Sequence, residues 1–293
     1  MIAPGETILK PLVSIADNSF RPEDAGNYML SLRISGDNFS FAVLDGARNK
    51  YIMLFSYPFR AGENPDEICR RFREICLSED RLQLKYKSVN IAFAGRIATL
   101  VPSAVFENGR EASYLALVHP EQDKEIVLSG PVRMADACCV YGAEPGLVSA
   151  VKELFPGVSV QHHCMSLLEA VLQKMKNDPH KKAVLHIQPS SFDMIVTENG
   201  KLLFYNSFPY RAPEDFIYYV LFVFEQLRLN PEACDTMLLG EIVSSSSLYT
   251  ILYKYVRRVS FGMRNDSYSY SYGFENLPPH FYYNLLNQNL CVS

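Results

Sequence analysis

The side chains best suited to chemistry stand together at residues 162–164, whose sequence is His-His-Cys. Imidazole and thiolate groups are ligands that zinc prefers. The segment ends an apolar run typical of a strand, in which neighbouring side chains point to opposite faces. The rings of His162 and His163 therefore cannot easily share one ion. We predict that one ring faces the core and the other the solvent, and we predict no metal site.

The paired cysteines and the isolated histidine of the chain lack the neighbours that catalysis needs. Cys138 and Cys139 lie in an apolar run that predicts a buried strand, and no activating base is evident beside them. His186 lies in another apolar run, which favours a hydrogen-bonded core histidine over a catalytic base. The G-x-S-x-G motif of serine hydrolases is absent from the sequence. These patterns predict no catalytic residue.

Two segments of the chain resemble each other. Residues 32–45 match residues 185–198, with Phe39 corresponding to Phe192. After a two-residue deletion, residues 57–61 (Tyr-Pro-Phe-Arg-Ala) match residues 208–212 (Phe-Pro-Tyr-Arg-Ala). Two related halves predict two lobes that face a cleft, and a cleft suggests a ligand.

Each half is predicted to contain three strands, a helix and a further strand. Gly, Asp and Asn separate the strands and favour tight turns, and apolar residues at helical spacing mark the helices. The fold class is therefore α/β, with a duplicated β-β-β-α-β unit. The predicted strands are 28–35, 39–45, 50–59 and 89–94, then 183–187, 192–197, 201–210 and 236–239; the helices are 65–77 and 213–229.

A subdomain of different composition is predicted between the halves. It contains predicted strands at 114–120, 124–128, 134–141 and 158–162 and helices at 145–154 and 167–176. We place the first lobe at residues 1–102, the inserted subdomain at 103–182 and the second lobe at 183–293. The second lobe also has a predicted helix at 248–259 and a tail at 277–290 that forms a helix or docks on the fold.

A tyrosine-rich segment at residues 267–274 is predicted to be a strand. Tyr268, Tyr270, Tyr272 and Phe274 alternate with small residues, which places four aromatic rings on one face. Packing onto the core is the favoured interpretation of that face. A surface for a protein partner is the alternative, because tyrosine is frequent at interfaces.

The composition of the chain argues against some classes of protein and favours one cellular compartment. The net charge of −4 argues against nucleic-acid binding, which usually needs a basic face. Seven cysteines without a C-x-x-C pair favour reduced thiols and a cytoplasmic location. The amino terminus lacks the pattern of a secretory signal. Residues 216–229 form the most apolar stretch, but Glu225, Gln226 and Arg228 interrupt it. We predict no membrane span, and any membrane contact would go through a protein partner.

The order of these elements resembles the actin-like ATPase superfamily, which includes actin, the Hsp70 ATPase domain and sugar kinases with ribonuclease H-like halves. Residues 184–210 and 235–252 look most like its bacterial pilus-assembly and division branch, and so does the inserted subdomain with Pro-Gly-Val-Ser-Val at 156–160. The cytoplasmic domain of the type II secretion L component is similar in architecture. The chain resembles an uncharacterised bacterial family with an actin-like ATPase fold.

The resemblance implies three loops that would hold Mg-ATP. Each half should carry D-x-G-x-x-x-T/S between its first two strands, where Asp positions a metal-bound water and Gly lets backbone N–H groups approach the phosphates. A G-G loop should receive the adenosine. In the first loop, Arg33 stands at the Asp position and Ser35 at the Gly position. Gly36 serves only if the register slips by one residue.

The other two loops also depart from the pattern. His186 and Gln188 replace Asp and Gly, Pro189 removes a backbone donor, and Phe192 replaces Thr. In the third loop, Gly240 is followed by Glu241, whose carboxylate would repel phosphate.

The degenerate loops predict a non-catalytic interaction or assembly module without a cofactor. Its protein partner is unknown, and membrane-associated machinery is one option. The alternative is a nucleotide-binding ATPase, or a protein that binds a small metabolite, with an altered cleft between the lobes. In that alternative the cofactor-binding residues are Gly36, Ser190, Ser191 and Gly240.

Overall fold

The computed structural model describes residues 10–60, 62–120 and 125–292, which form an α/β fold with several sheets. The strands are β1 (Val13–Ala16), β2 (Tyr28–Ser35), β3 (Asn38–Asp45), β4 (Lys50–Pro58), β5 (Ser88–Ala94), β6 (Ala98–Pro102), β7 (Ile126–Val132), β8 (Ala137–Ala143), β9 (Val160–His162), β10 (Lys182–Ile187), β11 (Ser191–Glu198), β12 (Lys201–Pro209), β13 (Asp235–Gly240), β14 (Val259–Phe261) and β15 (Ser269–Tyr270). The α-helices are α1 (Pro65–Ser78), α2 (Glu111–Val118), α3 (Pro145–Leu154), α4 (His163–Met175), α5 (Pro213–Gln226) and α6 (Ser247–Tyr255).

Two sheets of the molecule have the same strand order. The first contains β4-β3-β2-β5-β9, with β1 at its edge, and the second contains β12-β11-β10-β13-β14. Tight turns make the first three strands of each set antiparallel, whereas β5 and β13 run parallel to β2 and β10. A parallel pair needs a crossover connection, and α1 and α5 supply it. Both predicted β-β-β-α-β segments are therefore present.

Capping hydrogen bonds and apolar faces explain where the crossover helices begin and how they pack. At the start of α1, the Asn64 side chain accepts from the Glu67 N–H, and the Glu67 carboxylate accepts from the Asn64 N–H. The buried face of α1 carries Phe72 and Ile75 against the first sheet. In the same way, α5 buries Phe216 and other apolar residues against the second sheet. The two helices thus bury apolar faces against equivalent sheets.

The segment between β5 and α3 forms a small third sheet with the order β6-β8-β7. The predicted strand at 114–120 is wrong, because these residues belong mostly to α2. The sequence Glu-Ala-Ser-Tyr-Leu-Ala-Leu-Val of α2 contains strong helix formers, and of its residues only Leu115 is buried. The predicted strand at 134–141 begins later, at Ala137, after Asp136 adopts a left-handed conformation. Strand β9 pairs with β5 and so lies in the first sheet. The domain boundaries at 102 and 182 stay a prediction.

The tyrosine-rich segment is a strand only at Ser269–Tyr270, so the predicted strand at 267–274 is wrong. After Ser271 donates to the Tyr51 carbonyl, the chain turns into a 3₁₀ helix, Tyr272–Asn276, instead of following the sheet edge. The rings of Tyr268 and Tyr270 pack against Tyr51, with centroids 5.2 and 5.6 Å away. Tyr272 is 79% exposed. The four aromatic residues therefore do not share one face.

The carboxyl-terminal tail docks against the sheets. The Gln288 side chain donates to the Leu32 carbonyl of β2 at 3.0 Å, and the Asn284 side chain donates to the His163 carbonyl of α4 at 2.6 Å. Leu286 is 2% exposed in the apolar cluster on β3 and β4. Among the described residues, no helix is both long and apolar enough to cross a bilayer.

Candidate functional site

Loops at the ends of β2, β10 and β13 meet between the two main sheets. The Arg33 guanidinium of β2 donates to the Gln188 side chain beyond β10 and, at 3.2 Å, to the Asn38 side-chain oxygen. Asn38 in turn donates to the Glu241 carboxylate, beyond β13, at 3.3 Å. The three loops predicted to cradle phosphate are thus joined by the protein's own side chains.

Arg33 is a buried charge at the centre of this junction. It is 7% exposed, and burial lowers its pKa, although the carboxylates of Glu241, Asp193 and Asp37 act in the opposite direction. Burial also raises the pKa of Asp37, which Arg33 opposes. The guanidinium therefore depends on these nearby carboxylates and on its hydrogen bonds to amide oxygens.

Asp193 of β11 lies behind Arg33 and collects hydrogen bonds. One carboxylate oxygen is 2.9 Å from His163 Nε2, 3.0 Å from His186 Nδ1 and 3.2 Å from Gln188 Nε2. The Tyr205 hydroxyl donates to the other oxygen at 3.1 Å. Burial alone would raise the pKa of Asp193, but its contacts with His163 and His186 hold it well below the usual value. The predicted hydrogen-bonded core position of His186 is confirmed.

Both rings of the His162-His163 pair are buried, so the prediction of one solvent-facing ring is wrong. The rule of alternating faces fails here because His162 ends β9 and His163 begins α4. Burial lowers the pKa of His163 to about 4, so its ring is neutral near neutral pH and its Nε2–H donates to Asp193. Its Nδ1 is buried without a hydrogen-bond partner in the described part of the chain.

The four predicted cofactor-binding residues have different environments. Gly36 and Ser190 are exposed, and Ser191 is buried. Gly240 donates its backbone N–H to the His280 carbonyl of the tail at 2.9 Å. It has a φ of +82°, and an added Cβ would lie 2.1 Å from the Ile187 carbonyl oxygen. Gly240 thus meets a backbone requirement of the fold, and contact of any of the four with a cofactor stays a prediction.

A group of side chains that could hold a metal ion lies beside the Asp193 hydrogen-bond cluster. Cys139 of β8, His162 and Cys164 of α4 each offer a donor atom within 4.8 Å of the others, and all three residues are buried. The predicted buried strand around Cys138 and Cys139 is confirmed. The sequence places His162 near Cys164 but gives no sign that Cys139 joins them, because Cys139 is far from both in the chain and shares a buried cluster with Cys164 only in the folded structure.

His163, His186 and Asp193 form another set of three donors within 4.8 Å of one another. Neither set was predicted, because each combines residues from separate strands and helices that come together only in the folded chain. Residues 244–247 are four serines that follow the third loop, and Ser246 caps α6, since its hydroxyl accepts from the Tyr249 N–H.

Solved structures resemble most of the chain. A Bacteroides thetaiotaomicron protein, described as having an actin-like ATPase fold and unknown function, is 24% identical with a TM-score of 0.77; the match covers 84% of this chain and 94% of that one. The PilM-PilN type IV pilus biogenesis complex gives 15% identity and a TM-score of 0.61, with 90% and 98% covered. These similarities confirm the predicted α/β class and the actin-like ATPase fold.

No curated protein sequence matches the chain significantly. A family model described as "Protein of unknown function (DUF3822)" matches residues 17–259, which is most of the chain. This protein therefore belongs to the DUF3822 family, and its fold is that of the actin-like ATPases.

Proposed function

We propose that this protein is a non-catalytic member of the actin-like fold and serves as an interaction or assembly module. The observation that carries the proposal is the side-chain bridge across the three phosphate-loop positions. Arg33 contacts Gln188, and Asn38 contacts Glu241, where the ATPases of the superfamily would need open loops.

The chemistry of the bridged loops is unfavourable for a phosphate group. Phosphate binding relies on free backbone N–H groups and a positive potential. Pro189 has no N–H, and the Gly240 N–H is already bonded to the tail. Glu241 adds a carboxylate at the third loop, where it would repel the ligand. Arg33 is the basic group of the junction, but it already contacts two amide oxygens and sits among carboxylates.

We also propose that the two main sheets arose by internal duplication and form two lobes. Their common strand order and the matching segments at 32–45 and 185–198 support this proposal. In an enzyme of this design the junction between the lobes would hold the nucleotide. In this protein the two sheets would instead support surfaces that bind another protein.

A protein partner is the proposed ligand. The similar PilM structure is described as a complex with PilN, which supports an assembly role for a chain of this fold. We place the protein in the cytoplasm, where thiols stay reduced, which agrees with the free thiols of Cys69, Cys76, Cys138, Cys139, Cys164 and Cys234.

Thermal unfolding with and without nucleotide tests the absence of a nucleotide site. A ligand at about 100 times its Kd adds about 2.7 kcal/mol of stability. We expect no shift in Tm with Mg-ATP, Mg-ADP or Mg-GTP, measured beside an ATP-binding protein of actin-like fold as a positive control. A clear shift would reject the non-catalytic proposal and favour nucleotide contact at Gly36, Ser190, Ser191 and Gly240.

Co-purification from the native cell tests the assembly role. We expect a tagged full-length chain to elute with a second protein in a fixed ratio, identified by mass spectrometry. The untagged strain, taken through the same column, is the control. A chain that elutes alone under gentle conditions would count against an assembly role.

A further inference from the structure

Cys139, His162 and Cys164 form a compact set of soft donors in the interior. We propose that these three side chains bind one thiophilic metal ion, for which Zn²⁺ is the probe. Thiolate ligands select such ions, and an imidazole completes many zinc sites. This proposal is independent of the non-catalytic role, because the three residues lie outside the loops that meet at the ends of β2, β10 and β13.

The distance between the sulfur atoms favours a metal over a disulfide. Cys139 Sγ and Cys164 Sγ are 3.3 Å apart. With Zn–S bonds of about 2.3 Å, two sulfurs of a tetrahedral site lie about 3.8 Å apart, so loading needs an outward shift of about 0.5 Å. A disulfide of about 2.05 Å needs the sulfurs to approach by more than about 1 Å. The two sulfur atoms therefore move less to bind a metal ion than to form a disulfide, and this favours the metal site.

The tautomer of His162 leaves one ring nitrogen able to bind a metal. Its Nε2 is 2.9 Å from the Gly95 carbonyl oxygen, which can only accept, so the proton is on Nε2. The lone pair is therefore on Nδ1, which accepts a long 3.3 Å hydrogen bond from the Cys164 N–H. Metal-binding histidines commonly donate their other N–H to a backbone carbonyl, which fixes the ring and its tautomer. Gly95 supplies that second contact here.

Charge balance fits a divalent ion in this apolar setting. Two thiolates and a neutral imidazole cancel the charge of Zn²⁺, so the loaded site adds no net charge to the core. The surrounding cluster includes Val132, Leu167 and Leu168, all with no measurable exposure. Two thiol protons leave as the metal enters. Zinc sites with three protein ligands carry a fourth ligand from solvent or substrate.

The neighbouring set of His163, His186 and Asp193 is a weaker candidate. One Asp193 oxygen already lies within hydrogen-bond distance of both rings and of the Gln188 amide. These strong contacts would have to break on loading. Loading of the Cys139 set would break weaker contacts: the one between the two thiols, which are weak hydrogen-bond donors, and the long 3.3 Å bond from the Cys164 N–H to His162 Nδ1.

A metal here would connect the small inserted sheet to the first main sheet. Cys139 comes from β8 of the insert, whereas His162 and Cys164 come from β9 and α4. The ion would therefore fix the orientation of the insert.

Metal analysis of full-length chains with reduced cysteines tests the site. We expect about one equivalent of Zn²⁺ per wild-type chain, by elemental analysis after zinc loading and gel filtration. C139A and C164A should each bind at least tenfold more weakly. C138A, which removes the adjacent thiol of the same strand, is the matched control and should bind as wild type does.

Cobalt spectroscopy keeps the test valid if a variant fails to fold. We expect Co²⁺ to give a thiolate-to-metal charge-transfer band with wild type and C138A. The proposal fails if wild type binds neither ion, or if folded C139A and C164A both bind normally.

Discussion

At the scale of single residues, the junction shows that a retained motif residue can be structural. Gly240 is the remaining glycine of the third loop, yet its N–H is bonded to the His280 carbonyl and its φ is +82°. Gly36, the candidate glycine of the first loop, is exposed and has open space around it. The backbone conformation at Gly240 therefore requires glycine, whereas the position of Gly36 has room for a larger side chain.

We predict that G240A destabilises the protein by more than about 2 kcal/mol, because a Cβ there would overlap the Ile187 carbonyl and the backbone is left-handed. G36A is the matched control and should change stability by less than about 1 kcal/mol. Urea unfolding followed by tyrosine fluorescence measures both, since the chain has no tryptophan. Equal effects of the two changes would contradict a structural role for Gly240.

The candidate site was only partly predictable at this scale. Replacement of Asp by Arg33 and His186 was visible in the sequence, and it correctly drew attention to the loops. Their contacts with Gln188 and Asp193 were not, because they join residues from different turns and strands. The burial of both His162 and His163 depended on a change from strand to helix between them, which residue alternation does not reveal.

At the scale of elements, strong patterns predicted the two main sheets well. Runs of β-branched and aromatic residues with turn residues between them gave β2–β5 and β10–β13 close to their observed bounds. Prediction was wrong for α2, where a short apolar run fits either a helix or a strand. It was also wrong at residues 267–274, where the sheet edge offered pairing for only two residues.

An ion pair joins Asp17, the residue after the edge strand β1, to Lys50 of β4 and makes stability depend on pH. The Lys50 ammonium is 2.8 Å from the carboxylate of Asp17, which also accepts from the Ser19 N–H. The hydrogen bond from Lys50 lowers the pKa of Asp17 to about 2. The unfolded pKa is about 3.9, so the folded state holds the ionised form more strongly. This stabilisation is present above about pH 4 and is lost as the pH falls through about 2.

We predict that D17N lowers the free energy of unfolding by about 1 kcal/mol at pH 7, a value reduced by the partial exposure of the pair. The difference between D17N and wild type should shrink below pH 4, be mostly lost near pH 2 and vanish below it. Urea unfolding across this range measures it, and K50M serves as the control that removes the same pair. A difference as large at pH 2 as at pH 7 would contradict the role of the Asp17 charge.

At the scale of the whole molecule, the carboxyl-terminal tail binds parts of the fold that are distant in sequence. It accepts the Gly240 N–H of the second sheet through His280 and donates to Leu32 of the first sheet through Gln288. Together with the Arg33–Gln188 contact, the tail joins the two sheets. We therefore expect the sheets to unfold as one unit.

Leu286 provides the test of that coupling, because its side chain is buried against the first sheet in a tail that also contacts the second. We predict that L286A costs about 2–5 kcal/mol, the range for a buried leucine truncated to alanine. L12A, at a residue 76% exposed, should cost less than about 0.5 kcal/mol. Calorimetry and far-ultraviolet circular dichroism should give coincident transitions for both variants. Separate transitions in the wild type and in L12A, where the tail is intact, would show that the tail does not couple the sheets, and so would an L286A loss no larger than that of L12A.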